Sequence, residues 1–161
     1  MILIALGANL PSRAGAPDAT LRAALMELAK AGVNIRSTSR FYRSPAWPDP
    51  RDPEYANAVA RVETDLAPKD LLALLHETET AFGRVRSARN APRMLDIDLI
   101  DYEGRVEEGA LTLPHPRIES RNFVLLPLRD VAPEWHHPIS KRSVDALVSA
   151  LPANEQTLPV W

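Results

Sequence analysis

Residues 94–102 read MLDIDLIDY, and the alternation of apolar and acidic side chains in this stretch predicts a β-strand. Ile97 and Leu99 would face a core, while Asp96 and Asp98 would project together from the opposite face, because side chains two residues apart share a face of a strand. Two carboxylates this close repel each other, and a hard divalent cation such as Mg²⁺ would relieve the repulsion. The pair is therefore a candidate metal site; taken alone, the same pattern also fits a solvated strand face.

The segment before this strand, residues 84–93, is rich in arginine and contains no lysine. Guanidinium groups match the geometry of phosphate oxygens. Phosphoryl transfer needs positioning and neutralisation of charge more than covalent help, so a basic loop beside a carboxylate pair is typical of that chemistry. The run LPHPR at 113–117, followed by Arg121, is a second candidate phosphate contact. The arginines of the first segment are Arg84, Arg86, Arg89 and Arg93.

The rest of the chain supplies the other elements of an α/β fold. Pro17 and Pro68 are placed to begin helices, since proline is well tolerated in the first helical turn. The proline-rich stretch 44–54 fits neither a helix nor a strand interior and is predicted to be a surface loop. The predicted strands are 1–7, 33–42, 55–64 and 94–102, with a short one at 106–113. The first predicted helix begins at Pro17, and the others span 68–82, 121–131 and 143–150.

This order of strand, helix, strand, strand, helix, strand is the β-α-β-β-α-β arrangement of ferredoxin-like folds. We therefore predict an α+β fold with a mainly antiparallel sheet, flanking helices and C-terminal helical additions. The whole chain, residues 1–161, is predicted to form one domain.

Composition excludes several other classes of protein. The 161 residues include no cysteine, which rules out disulfides, zinc–thiolate sites and thiol nucleophiles. The net charge of −2 argues against a protein that binds nucleic acid through its phosphates. The start of the chain does not resemble a signal peptide and no apolar run is long enough for a membrane span, so we expect a cytoplasmic protein. The phosphate-loop and dinucleotide-binding glycine motifs are absent, as are the serine hydrolase and zinc protease motifs.

Several motifs in the same order along the chain resemble the 6-hydroxymethyl-7,8-dihydropterin pyrophosphokinase family. The most specific is RNAPRMLDIDLI at 89–100. The others are ALGANL at 5–10, FYRSP at 41–45, YANA at 55–58, GRVR at 83–86, LPHP at 113–116, and RNF at 121–123 followed by Pro127-Leu128.

The resemblance implies transfer of the β,γ-diphosphate of ATP to the hydroxymethyl group of the pterin, with release of AMP, in folate biosynthesis. It implies that Asp96 and Asp98 hold two Mg²⁺ ions, and that Arg84 and Arg93 neutralise the diphosphate as it is transferred. The implied ATP site consists of His76, Glu79, Arg86, Leu99, Thr112, His115 and Arg121.

The resemblance also implies a pterin site. Asn57 would read the hydrogen-bonding edge of the pterin, Phe123 would stack on its ring, and Tyr55 would border it. Backbone groups of Ser44, Pro45 and Ala46 are expected to complete that pocket. The expected partners are therefore the two small substrates, with neither nucleic acid nor membrane, and the expected state is a monomer.

Two departures from the family pattern concern substrate affinity. Many members have an aromatic residue where this chain has Asn90-Ala91, and some have an arginine where it has Ala110. We hypothesise that Trp47 partly replaces the missing aromatic residue. We also expect residues 84–92 and 44–54 to become ordered only when both substrates are bound. The alternatives are another Mg²⁺-dependent nucleotide enzyme, such as a phosphohydrolase or nucleotidyl transferase, and a ferredoxin-like binding module.

Overall fold

The computed structural model describes residues 1–83 and 93–161, which form an antiparallel sheet with helices on both faces. The strands are β1 (Ile2–Ala8), β2 (Asn34–Thr38), β3 (Tyr42–Ser44), β4 (Tyr55–Glu63) and β5 (Asp96–Tyr102). The helices are α1 (Pro17–Lys30), α2 (Pro68–Ala81), α3 (Asn122–Val131) and α4 (Val144–Ala150), with short 3₁₀ turns at Ile118–Ser120 and Ala153–Glu155.

The strand order is β2-β4-β1-β5, and β3 also pairs with β4. Every pairing is antiparallel, and β1 lies in the middle between β4 and β5. If β2 and β3 are counted as the two parts of the second predicted strand, β4 is the third strand and β5 the fourth. A first strand that lies between the third and the fourth is the ferredoxin-like arrangement. The structure thus confirms the predicted fold class.

The two faces of the sheet bury different sets of side chains, as the alternation along each strand requires. Ile4 and Leu6 of β1 pack with Leu21 of α1 and Leu71 of α2. On the other face, Leu3 packs against residues of α3 and α4. The alternating residues of β5 therefore divide as predicted: Ile97 and Leu99 are buried toward α1 and α2, and Asp96 and Asp98 lie on the other face.

Helix boundaries follow the sequence closely. Pro17 and Pro68 are the first residues of α1 and α2, and Pro127 lies inside α3. The Ser143 side chain caps α4, where its Oγ accepts a hydrogen bond from the Ala146 N–H at 3.1 Å. None of the helices within residues 1–83 and 93–161 has the length and apolar character that crossing a membrane would require.

Two predicted strands differ from the observed ones. The stretch 33–42 is divided into β2 and β3. Thr38 pairs with Ala60 and Tyr42 pairs with Asn57, so an advance of four residues from β2 to β3 corresponds to an advance of three residues along β4. One extra residue interrupts the ladder, as in a β-bulge. The stretch 106–113 forms only an isolated bridge between Glu107 and Leu113 in the described part of the chain.

Candidate active site

The candidate site is a cavity of about 570 Å³ over the sheet face that carries Asp96 and Asp98. Helices α3 and α4 cover the part of this face around Leu3 and Val59, and the face is open beyond Ala5. The lining residues come from separate stretches of the chain: Ala5, Leu6, Gly7, Ser44, Pro45, Trp47, Tyr55, Asn57, Arg93, Asp96, Asp98, Arg117, Ser120, Arg121, Phe123 and Val124.

The strand register places Asn57 and Asp96 on opposite sides of β1 in this cavity. Gly7 on β1 pairs with Asn57 on one side and with Asp96 on the other. A Cβ on Gly7 would lie 3.5 Å from Asn57 Oδ1 and 3.8 Å from the Tyr55 ring, so a glycine here leaves space for a ligand above β1. A ligand can therefore lie across β1 between the amide and the carboxylate.

The acidic end holds carboxylates that contact arginine side chains. Asp96 and Asp98 are 29% and 34% exposed, so both can reach a ligand from the cavity. Arg93 Nη1 lies 3.0 Å from Asp96 Oδ1, and Arg121 Nη1 lies 3.7 Å from Asp98 Oδ2. These pairs place opposite charges side by side at one end of the cavity, where a polyphosphate and its counter-ions could both be bound.

His115 lies against the same carboxylate, with Nε2 3.7 Å from Asp98 Oδ2. Burial, reinforced by the positive charges of Arg121 and Arg117, lowers the pKa of His115 to about 4. The ring is therefore neutral at pH 7. Its Nδ1 accepts a hydrogen bond from the Arg117 N–H at 3.3 Å, which places the ring proton on Nε2, toward Asp98.

The opposite end of the cavity suits a flat, polar ring. The buried Asn57 side chain donates from Nδ2 to Ser44 Oγ at 2.8 Å and to the Tyr42 carbonyl at 3.5 Å, while its Oδ1 faces Gly7. The Tyr55 and Phe123 rings also line the cavity, and the Arg121 guanidinium lies 5.6 Å from the centre of the Phe123 ring. A fixed amide can hydrogen-bond to a heteroaromatic ligand, and aromatic rings lining the same cavity can stack on it.

Trp47 extends the aromatic surface at the mouth of the cavity. Its side chain is 71% exposed although it lines the cavity. The neighbouring Pro45 is also part of the lining, while Ala46 is buried. The position of Trp47 is compatible with the hypothesis that it covers a bound ring, and that hypothesis stays a prediction.

Comparison with known proteins identifies the family of this chain. The family model described as 7,8-dihydro-6-hydroxymethylpterin-pyrophosphokinase (HPPK) matches residues 3–133. The chain belongs to the HPPK family. It is 41% identical over 130 residues to a Synechocystis 2-amino-4-hydroxy-6-hydroxymethyldihydropteridine pyrophosphokinase, covering 80% of this chain and 66% of that one. It is 38% identical over 133 residues to the protein of the same name from Methylorubrum extorquens, covering 81% of this chain and 82% of that one.

Solved structures agree at the level of the fold. A Plasmodium falciparum HPPK-DHPS structure with pteroate superposes with a TM-score of 0.70 at 12% identity, over 91% of this chain. The chain corresponds to 41% of the length of that larger protein, and to just under two thirds of the Synechocystis relative.

Within this HPPK-family chain, ten of the residues predicted for the site line the cavity together. They are Ser44, Pro45, Trp47, Tyr55, Asn57, Arg93, Asp96, Asp98, Arg121 and Phe123. His115 contacts the same site through Asp98. Arg84 and Arg86 lie outside the described residues.

Other predicted ATP contacts lie away from the cavity lining. Glu79 is only 2% exposed, and its Oε1 accepts a hydrogen bond from the Ile97 N–H at 2.7 Å, which ties α2 to β5. The Leu99 side chain is buried on the α1 and α2 face, while His76 and Thr112 are exposed. Their contact with ATP remains a prediction.

Sequence reasoning did not assign Gly7 or Ser120 to the site, yet both line the cavity, as does Arg117. Arg117 belongs to the LPHPR run, which its sequence makes a candidate phosphate contact. Gly7 ends the predicted first strand, but only the pairing of β1 with both β4 and β5 reveals that it separates the two ends of the site.

Proposed function

We propose that this chain transfers the β,γ-diphosphate of ATP to the hydroxymethyl group of 6-hydroxymethyl-7,8-dihydropterin and releases AMP. The observation that carries the proposal is one cavity that is lined by an amide, aromatic rings, carboxylates and arginines, with Asn57 and Asp96 on either side of β1. Membership of the HPPK family supports it, because the relatives from Synechocystis and Methylorubrum extorquens are named as pyrophosphokinases of this pterin. We place the reaction in the cytoplasm, where ATP is available.

In the proposed reaction, the hydroxymethyl oxygen of the pterin forms a bond to the β-phosphorus of ATP. The bond from that phosphorus to the oxygen bridging it to the α-phosphate breaks, and AMP leaves with the electron pair. The hydroxyl proton is released. The pterin would be oriented by Asn57 and held between Phe123 and Tyr55, so that its hydroxymethyl group points across Gly7 toward Asp96.

The donor set at the acidic end fits Mg²⁺. Asp96 and Asp98 offer carboxylate oxygens, and the described residues contain no group of three or more His, Cys, Asp or Glu side chains able to hold a metal alone. This suits Mg²⁺, which proteins usually bind through one or two carboxylates together with substrate phosphates. When bound, two Mg²⁺ ions would neutralise phosphate charge and polarise the phosphoryl oxygens.

The arginines would act on the same phosphates. Arg93 and Arg121 are already held beside the two aspartates, so each guanidinium can turn to the diphosphate as it detaches from the α-phosphate. His115 is neutral at pH 7 and presents an N–H on this side of the cavity, which suits it to donate a hydrogen bond to a phosphate oxygen.

Incubation of the purified protein with ATP, Mg²⁺ and the pterin, followed by mass spectrometry of both products, tests the proposal. The expected products are AMP and the pterin diphosphate in equal amounts. Reactions without pterin, or with EDTA, are the controls and should give no AMP. Formation of ADP or free phosphate in place of AMP would favour a different nucleotide enzyme, and the absence of any turnover would favour a binding module.

A further inference from the structure

Asn9, the residue that follows β1, is buried and contacts two segments that are distant in the sequence. It is 2% exposed. Its Oδ1 accepts a hydrogen bond from the Arg93 N–H at 2.8 Å, and its Nδ2 donates one to the Pro53 carbonyl at 3.2 Å. The Asn9 and Leu10 N–H groups both donate to the Arg93 carbonyl, at 3.1 and 3.3 Å. Both the N–H and the carbonyl of Arg93 are therefore hydrogen-bonded to residues 9 and 10.

The two segments joined by Asn9 belong to opposite ends of the cavity. Pro53 lies near the end of the proline-rich loop 44–54, which contributes Ser44 and Trp47 to the ring-binding end. Arg93 contributes its guanidinium to the acidic end, 3.0 Å from Asp96. A carboxamide is suited to this position because it can accept from one backbone and donate to another at the same time.

We infer that Asn9 is a positioning residue that fixes the phosphate-side arginine and the proline-rich loop relative to each other. The inference rests on the proposed function, since it assigns Arg93 to the diphosphate and loop 44–54 to the pterin. Asn9 lies behind both groups and does not line the cavity. Its effect on the reaction must therefore pass through Arg93 and through the loop.

Two variants separate these two connections. Asn9→Ala removes both side-chain hydrogen bonds and leaves the Arg93 N–H without its acceptor. Asn9→Asp keeps an oxygen for the Arg93 N–H but places a second oxygen, which cannot donate, against the Pro53 carbonyl. Ser39→Ala is the matched control, because Ser39 is also buried and its Oγ accepts from the Val59 N–H at 3.0 Å, away from the cavity.

The readouts are kcat and the separate KM values for pterin and ATP, with thermal unfolding to measure the loss of stability. We expect Asn9→Ala to lower kcat at least about tenfold and to raise the pterin KM, as one buried hydrogen bond is worth roughly a factor of ten. Asn9→Asp should raise the pterin KM while kcat stays within about threefold of the wild type. Ser39→Ala should lose comparable stability with unchanged kinetic constants. Kinetic losses in Ser39→Ala equal to those in Asn9→Ala would overturn the inference.

A double-mutant cycle with Arg93→Ala decides whether Asn9 acts through Arg93. If it does, removing Arg93 costs much less in the Asn9→Ala background than in the wild type. Independent, multiplicative losses would overturn the inference. Should Asn9→Ala fail to fold, the cycle is run in Asn9→Asp. In that variant Arg93→Ala should lower kcat about as much as in the wild type, and the pterin KM should be raised. An unchanged pterin KM in Asn9→Asp would overturn the connection to the loop.

The same cycle is measured in the affinity for Mg²⁺-ATP by calorimetry, which requires no turnover. A wild-type protein that forms no AMP would refute the proposed function alone. Arg93→Ala is expected to weaken ATP binding less than it slows the chemical step, and a loss of ATP affinity that is the same with and without Asn9 would refute the positioning role alone.

Discussion

The Arg93 guanidinium lies 3.0 Å from the Asp96 carboxylate, so the arginine partly neutralises the site before any ligand is bound. A nucleotide with its cations would replace this contact on both sides, since the carboxylate can turn to a metal and the guanidinium to a phosphate. We therefore expect the two side chains to have separable roles, which single substitutions can distinguish.

Removal of either carboxylate should abolish most of the activity without unfolding the protein. Asp96→Asn and Asp98→Asn keep the shape of the side chain but lose the charge that would hold Mg²⁺. We expect AMP formation to fall by about two to three orders of magnitude, as the neutralisation of phosphate charge by metal would be lost. Circular dichroism should remain that of the wild type. The exposed Asp65 provides the control, Asp65→Asn, and wild-type turnover in either site variant would contradict the assignment.

Removal of the Arg93 side chain should slow the chemical step more than it weakens substrate binding. Arg93→Ala leaves the Asp96 carboxylate in place, so Mg²⁺ and pterin affinities should change little. Single-turnover experiments with saturating ATP should show a rate about 100-fold lower, the typical cost of one lost donor to a developing charge. A rate close to that of the wild type would transfer this role to Arg84, which lies outside the described residues.

Loss of the buried amide at the other end should affect the pterin alone. Asn57→Ala removes the side chain that Ser44 Oγ orients at 2.8 Å. We expect the pterin KM to rise at least about tenfold, the equivalent of one good hydrogen bond, while the ATP KM stays within about threefold. Asn34→Ala, at an exposed position on β2, is the matched control. Equal changes in both KM values would indicate a general distortion of the site.

The local pattern of β5 was sufficient to predict its most important feature. Alternation along MLDIDLIDY determines which side chains share a face, so the Asp96 and Asp98 pair was predictable without any knowledge of the neighbouring strands. Similarly, Pro17 and Pro68 mark helix starts by their own chemistry. Features that depend on one residue type or one period are the ones the sequence predicts well.

Features that depend on a distant partner could not be predicted in this way. Glu79 is buried because the β5 backbone at Ile97 lies against it, a contact that the helical pattern of α2 does not reveal. The hydrogen bond from the Arg93 N–H to Asn9 joins positions 84 residues apart. Such contacts follow from the packing of the sheet and its helices, which leaves no periodic signal in the sequence.

Substitution of Trp47 tests whether this residue replaces the aromatic residue that many family members have where this chain has Asn90-Ala91. The Trp47 side chain is exposed, so Trp47→Ala should leave the unfolding temperature unchanged. If the indole covers the bound ring, the pterin KM should rise about threefold to tenfold, a range typical of one partly exposed aromatic contact. Trp47→Phe should restore most of the affinity. Unchanged pterin affinity in Trp47→Ala would remove the hypothesis.

The final prediction concerns stability and pH at a site remote from the cavity. Asp130 on α3 accepts hydrogen bonds from Arg40 Nη2 and from the Tyr42 hydroxyl, both at 3.0 Å, and so joins α3 to the linker before β3 and to β3 itself. Burial alone would raise the pKa of the Asp130 carboxyl, but the hydrogen bonds from Arg40 and Tyr42 hold that pKa below its ordinary value.

Because the folded state lowers the pKa of Asp130, its contribution to stability is fully present above the pKa of an unfolded aspartate, about 3.9, and is lost as the pH falls through the lower folded value. Asp130→Asn should therefore reduce the free energy of unfolding by about 1–3 kcal/mol at pH 7, the usual cost of breaking a partly buried charged hydrogen bond. Urea unfolding at pH 7, 4 and 3 should show the difference from the wild type shrinking as the pH falls. The exposed Asp65→Asn variant should show little difference at any of these pH values. A constant gap between Asp130→Asn and the wild type would mean that packing, and not the charge of Asp130, holds α3 to this edge of the sheet.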